Sequence, residues 1–286
     1  MKLSKHYKDD MKKIRIDEWL VAHDYYETKD AAMRAVMAGL IFNDNIRIDT
    51  AGEKIDPETA KIRVKDKRKK FVSRGGYKLE KAIDYFNLNL NDVVHLDIGS
   101  STGGFTDCAL QNGAQHVYAL DVGTNQLDYR LRIHDKVTVM EQTNFRYVTK
   151  AMFQPLPNFI SIDVSFISLS VILNKLVEII ESGTTIIALI KPQFEARYEY
   201  VDKGIVHDKQ EHIEVIQHMI SLCTRLNIAV CGITFSPITG QKGNIEYLLH
   251  GVYMPQSISD INIHSQTWDL DSIQSVVDQA FSTLNH

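Results

Sequence analysis

The sequence predicts an α/β protein in which a doubly wound, mainly parallel sheet follows a small α+β unit. Three observations carry this. From Val93 onward, short apolar runs alternate with amphipathic stretches, the pattern of strands joined by crossover helices. Several runs are continuously apolar, as expected of strands covered by helices on both faces. The first eighty residues read differently, as two short helices, a small strand pair and a basic segment.

In chain order, residues 1–13 are assigned to an N-terminal extension without a role, and residues 14–66 to the small unit. Ile16, Trp19 and Leu20 stand at helical spacing, and Ala32, Ala35, Val36 and Leu40 repeat it up to a Gly-containing exit. Asn43-Asp44-Asn45 supplies a turn between two short strands. Residues 67–74 form a basic linker. Residues 75–253 hold the strand segments VVHLDI, HVYALD, VTVME, NFISID, TTIIALI, IAVCGITF and IEYLLHG, with helices at GFTDCALQNG, LSVILNKLVEII and about 211–226. Residues 254–286 are a C-terminal extension ending in a helix.

Composition narrows the function classes. With 44% hydrophobic and 24% charged residues in 286, the chain has enough apolar content for a large core. Its longest apolar stretches, such as IIALI, fall far short of the roughly 20 residues of a membrane helix, so no span is expected. The amino terminus lacks an apolar secretory segment, and three cysteines, Cys108, Cys223 and Cys231, make no CxxC pair. A reducing cytoplasm is the expected setting. The net charge of -4 conceals an asymmetry, because residues 1–80 hold 19 of the 32 Lys and Arg. That front part of the chain is suited to a polyanion. His207, His212 and His218 form no HExxH, and no Cys/His cluster exists, so a metal site is not expected.

The most informative segment is Asp97-Ile98-Gly99-Ser100-Ser101-Thr102-Gly103-Gly104-Phe105. It follows an apolar strand and opens a helix, where open α/β sheets bind nucleotides. Gly99 permits a tight turn, while Gly103 and Gly104 let backbone approach a ligand. Asp121, at the end of the next strand, is placed to accept hydrogen bonds from ribose hydroxyls. No GK[ST] follows the glycines, and G-x-x-x-G-G is not the dinucleotide G-x-G-x-x-G.

An acid at a strand end followed by G-x-x-x-G resembles class I methyltransferases, which implies a Rossmann-like domain and S-adenosylmethionine as cofactor. The front unit resembles the S4 RNA-binding domain through Arg15-Ile16-Asp17-Glu18-Trp19-Leu20, Ala38-Gly39-Leu40-Ile41 and Asn43 to Ile46. It departs from that pattern at Thr28-Lys29, where the domain has Ser-Arg, and Lys lacks the bidentate fork of Arg. SRGGYKL (73–79), SIDVSFISL (161–169), LIKPQFEA (189–196) and SPITGQKGNIEYL (236–248) resemble, in order, the TlyA or hemolysin A family. These are FtsJ-like ribose 2'-O-methyltransferases of ribosomal RNA fused to an S4 domain.

That resemblance implies a catalytic tetrad of Lys78, Asp163, Lys191 and Glu246, and cofactor contacts from the loop 97–105, Asp121 and Asn144. It also implies ribosomal RNA as partner, with cytidine in assembled subunits as the target. Arg15, Lys29, Arg34, Lys67, Arg68, Lys69, Lys70 and Arg74 are the expected RNA contacts. Phe166 is expected to help shape the pocket.

The chemistry agrees. A ribose hydroxyl is a weak nucleophile at neutral pH and needs a group that removes or orients its proton in line with the methyl donor. Lys191 closes an apolar strand, and with Lys78 as a neighbouring cation it is expected to have a lowered pKa and accept that proton. Asp163 and Glu246 are expected to orient the lysines. Two other readings are kept, a non-catalytic ribosome assembly factor and a membrane-lytic protein.

Overall fold

The computed structural model describes residues 13–23, 25–26, 28–57, 59–65, 70–255 and 268–284. The chain divides into two compact units, Met1–Lys70 and Phe71–His286. Lys67, Arg68 and Lys69 of the basic segment, and residues 1–12, lie outside the described residues.

The front unit runs β1 (Ile14–Arg15), α1 (Ile16–Ala22), α2 (Lys29–Met37), β2 (Ile41–Asn43), β3 (Ile46–Arg47), β4 (Lys54–Ile55) and β5 (Ile62–Val64). β1 pairs with β4, and β3-β2-β5 form an antiparallel sheet. Ile16, Trp19 and Leu20 of α1 and Ala32, Ala35 and Val36 of α2 form one core with Ile41, Ile48 and Ile55. The helical spacing thus buries one stripe of each helix. Thr28 caps α2 by accepting the Ala31 N–H at 3.2 Å, the task Ser performs elsewhere.

Two expected RNA contacts of this unit are already engaged. The Arg15 guanidinium donates to both oxygens of the fully buried Asp17, at 3.0 and 2.6 Å, and Lys29 donates to Glu18 at 2.7 Å. The hydrogen bonds from Arg15 hold Asp17 below the usual carboxylate range. These residues therefore act first in holding α1 and its neighbours together. Arg34 is exposed on α2.

The main unit begins with α3 (Gly75–Phe86) and continues β6 (Val94–Ile98), α4 (Gly104–Gln111), β7 (His116–Leu120), α5 (Tyr129–Arg132), β8 (Val137–Met140), β9 (Phe159–Ile162), α6 (Leu169–Leu176) and β10 (Thr185–Ile190). It ends with α7 (Pro192–Glu195), β11 (Val201–Asp202), β12 (Ile205–Val206), α8 (Lys209–Arg225), β13 (Ile228–Phe235), β14 (Tyr247–Tyr253) and α9 (Leu270–Leu284).

Seven strands make the central sheet in the order β13-β14-β10-β9-β6-β7-β8. The five from β10 to β8 are parallel, and β14 runs antiparallel to both its neighbours. On β10, Ile186, Ala188 and Ile190 face one core with α6, α8 and α9, while Ile187 and Leu189 face a second with α3 and α4. This two-sided burial is why the strand reads as an unbroken apolar run. The last helix is part of the fold: Ile273, Val277 and Ala280 of α9 are buried in the first core.

Candidate active site

Three chain positions coincide at one edge of the sheet. Gly99, Asp163 and Lys191 each directly follow the carboxyl end of a strand, β6, β9 and β10, and these strands are adjacent. Glu246 directly precedes β14. Because β14 is antiparallel, its beginning lies at the same edge where the parallel strands end. Lys78 comes from the second turn of α3. Gly76 allows that placement, since a Cβ there would lie 2.3 Å from the ring of Phe71.

The four charged side chains close into one network. Lys78 Nζ donates to Glu246 Oε2 at 2.6 Å and to Asp163 Oδ2 at 3.3 Å, and Lys191 Nζ lies 2.6 Å from Asp163 Oδ1. Lys78, Lys191 and Glu246 are 6%, 7% and 2% exposed, so the charges are held largely out of water. Two cations and two carboxylates balance, which such burial requires.

The network corrects one expectation. Lys78 is no uncompensated cation acting on Lys191, because Asp163 sits between the two ammonium groups. Burial works against the charge of Lys78, but Asp163 and Glu246 outweigh it and raise its pKa above the ordinary lysine value. Burial likewise works against the charge of Asp163, and the two lysines overcome it and hold the carboxyl below the usual range. Lys191 also donates to Ser165 Oγ at 3.0 Å.

Two cavities meet at this point. One, of about 280 Å³, is lined by the tetrad together with Arg74, Gly99, Ser100, Ser101, Thr102, Gly104 and Phe105. The other, of about 410 Å³, is lined by Asp121, Asn144, Phe166 and apolar side chains including Leu120, Phe145 and Ile172. Gly99, Ser101, Asp163 and Ser165 border both. At Gly99 the backbone has φ +86°, and a Cβ would stand 2.5 Å from the Asp163 carbonyl oxygen. Glycine is required there because the loop crosses against the neighbouring strand end.

Asp121 accepts the Ser101 N–H at 2.8 Å through one oxygen and the Gly123 N–H at 2.7 Å through the other. A carboxylate has further lone pairs with which to receive ligand hydroxyls. Ser100 Oγ is buried without a hydrogen-bond partner among the described residues. Such a group stands ready for a polar ligand atom, since burial without a partner is costly.

Not every loop residue faces ligand space. Gly103 serves packing: a Cβ on it would meet Leu131 at 2.3 Å and Leu127 at 2.7 Å. Asp97 borders the smaller cavity, but its carboxyl oxygens are engaged within the protein, accepting from Thr106 N–H at 3.0 Å, Thr106 Oγ at 2.7 Å and Ser161 Oγ at 3.0 Å. Burial pushes its pKa up to about 7. Ser161 in turn meets His95 Nε2 at 2.7 Å; burial lowers that imidazole to about 3, so it is neutral, and because Ser161 gives its own proton to Asp97, the pairing calls for a hydrogen on Nε2. Asp97 therefore locks the loop onto α4 and β9.

Sequence reasoning passed over Ser161, Ser165 and Gly240. Ser161 and Ser165 stand two residues either side of Asp163, one on the strand face of Asp97 and one beside Lys191. Gly240 is needed because a Cβ there would lie 2.1 Å from Glu246 Oε1. Only the folded backbone reveals that proximity.

Residues 71–253 match the family model described as FtsJ-like methyltransferase. The chain is 48% identical over 275 residues to "Putative rRNA methyltransferase YqxC" of Bacillus subtilis (strain 168), covering 96% of each chain. It is 34% identical over 239 residues to "16S/23S rRNA (cytidine-2'-O)-methyltransferase TlyA" of Mycobacterium tuberculosis, covering 83% of this chain and 89% of that one. A solved structure, "Putative hemolysin from Streptococcus thermophilus", aligns with a TM-score of 0.71 at 45% identity, covering 96% of this chain and 98% of the other. Joined to a seven-stranded sheet whose strand ends assemble two lysines and two carboxylates beside a glycine loop, these likenesses place the chain in the FtsJ-like methyltransferase family.

Proposed function

We propose that the protein methylates a ribose 2'-hydroxyl of ribosomal RNA, on cytidine in assembled subunits, using S-adenosylmethionine. The observation that carries this reading is the closed Lys78-Asp163-Lys191-Glu246 network where the two cavities join. When bound, S-adenosylmethionine supplies an electrophilic methyl on a sulfonium.

The residues present fit that cofactor. Asp121 would receive ribose hydroxyls, the apolar walls around Leu120 and Phe145 would take the base, and Ser100 would offer its hydroxyl to a polar end. Asn144 accepts from Arg146 through its oxygen, which leaves its amide N–H₂ as a donor to the base.

The tetrad then acts on the RNA hydroxyl. Lys191 would act as the neutral amine once its own proton has passed to solvent, hydrogen-bonding the hydroxyl and taking its proton as the methyl leaves the sulfonium for the oxygen, with Asp163 fixing the direction of the lysine. Lys78 stays an ammonium between two carboxylates and keeps Asp163 in place. The front unit, resembling the S4 domain, docks RNA phosphates, with Arg34, Lys70 and Arg74 as further contacts.

Transfer of labelled methyl from S-adenosylmethionine to unmodified ribosomal subunits tests the reading. Label recovered as a 2'-O-methyl nucleotide after alkaline hydrolysis is expected. Label on a base, or RNA binding without any incorporation, would overturn it.

Gly240→Ala offers a sharper check on geometry. Backbone at this position has φ -70°, which alanine accepts, so the substitution acts by displacing Glu246 from Lys78. A shift of about 1 Å in such a group can cost about 10²-fold, and a loss of that order in kcat is expected with cofactor affinity retained. A fully active variant would show that Glu246 does not position the reaction.

A further inference from the structure

Arg15 of β1 and Lys29 of α2, two of the cations expected to meet RNA, are paired with Asp17 and Glu18, whereas β5 of the same unit carries a cation with a different fate. In the sheet register, Phe42 of β2 stands opposite Arg47 of β3 on one side and opposite Arg63 of β5 on the other. Residues directly opposite project from the same sheet face. Arg47, Phe42 and Arg63 therefore form a row across it. The neighbouring position Ile41 points the other way, into the core.

Both arginines are exposed and Phe42 is half-buried. The Arg63 guanidinium lies 5.0 Å from the centre of the Phe42 ring, and the Lys65 ammonium lies 6.0 Å from it. Arg47 is paired with the exposed Asp49, and Lys61 stands 3.9 Å from Asp44. Arg63 and Lys65 have no carboxylate partner among the described residues.

We propose that this sheet face, centred on Arg63, is a docking surface for the phosphate backbone and bases of unpaired RNA. The proposal rests on the RNA substrate reading and adds the location of the contact. Cation–π attraction holds the guanidinium over the Phe42 ring, which restricts the group before binding and reduces the freedom it loses on contact. The exposed guanidinium can stack on a base, and its N–H groups can grip a phosphate bidentately. Strand spacing sets Arg47 and Arg63 roughly 10 Å apart, so the row spans more than one nucleotide.

The test uses the full chain and unmodified ribosomal subunits, with affinity measured across a salt series. Arg47→Gln with Arg63→Gln is expected to weaken binding roughly tenfold or more and to flatten the log–log salt slope by about 1.4, two contacts at about 0.7 each. Lys13→Gln with Lys54→Gln removes the same charge from the same unit and is expected to change both much less. Equal losses in the two double variants would overturn the surface in favour of diffuse charge. Unchanged RNA binding would overturn it too, including when the arginine pair instead weakens binding to phosphatidylglycerol vesicles. No RNA binding by the unaltered protein would instead mean that the RNA reading itself fails. Arg63→Lys, which keeps charge but not the planar fork, is expected to restore most of the salt slope and only part of the affinity.

Discussion

Lys191→Ala is expected to lower the rate of methyl transfer by about 10²–10⁴-fold while leaving S-adenosylmethionine binding within a few-fold of the unaltered protein. The lysine is the first residue past β10 and is 7% exposed, with Asp163 at 2.6 Å and Ser165 at 3.0 Å fixing its head group. It sits in the smaller cavity, whereas Asp121 and the apolar walls belong to the larger one. Truncation therefore removes the group beside the reacting hydroxyl without touching the residues that hold the nucleoside. Single-turnover transfer and equilibrium cofactor binding, measured on the same preparation, separate the two effects. Loss of both together would mean that the lysine supports the cofactor site instead. Lys191→Arg is expected to be nearly as impaired, because a guanidinium stays protonated throughout the accessible pH range and cannot accept a proton.

Asp163→Ala is expected to have the largest effect on stability. It leaves Lys78 and Lys191, 6% and 7% exposed, without the carboxylate between them, and removing one partner of a buried ion pair costs about 3–5 kcal/mol. For a unit of this size the melting temperature should fall by roughly 10 °C. The dependence on pH follows from the shifts. A carboxyl held below its unfolded pKa contributes stability that is present above about pH 4 and is lost as pH falls through the folded value. Lys78, held above its unfolded pKa, contributes below about pH 10 and loses that contribution as pH rises further. The gap between Asp163→Ala and the unaltered protein should therefore be constant from about pH 5 to 9 and close below about pH 4. Chemical denaturation at several pH values measures it, and a gap that widens in acid would contradict the network. Asp163→Asn, which preserves shape but not charge, should fall between the two.

Much of this molecule is written locally in its residues. The strands from VVHLDI to IEYLLHG are recognisable because two-sided burial leaves a continuous apolar run, and the loop at Gly99 because a strand, a turn and a helix follow one another directly. Asp163 and Lys191 could be singled out because each ends such a run, and strand ends line the sites of parallel sheets. Lys78 and Glu246 carry no such local sign and were found through motif resemblance.

Other features depend on distant segments. Glu246 faces Lys78 across 168 positions only because β14 turns antiparallel, and strand direction leaves no trace in an apolar run. Composition marked the front unit as basic, yet pairing with Asp17 and Glu18 engages Arg15 and Lys29, while sheet register aligns Arg47 and Arg63 on either side of Phe42. Gly103 resembles a ligand-facing glycine in sequence and is a packing glycine in space, because Leu127 and Leu131 fold back over it. The sequence by itself determined the elements, the glycine turn and the identity of the charged groups, since these follow from periodicity and side-chain chemistry. The tertiary structure alone decided which charges neutralise each other, which glycines meet a neighbour and which cations remain for a partner, because proximity across the fold depends on strand order and register.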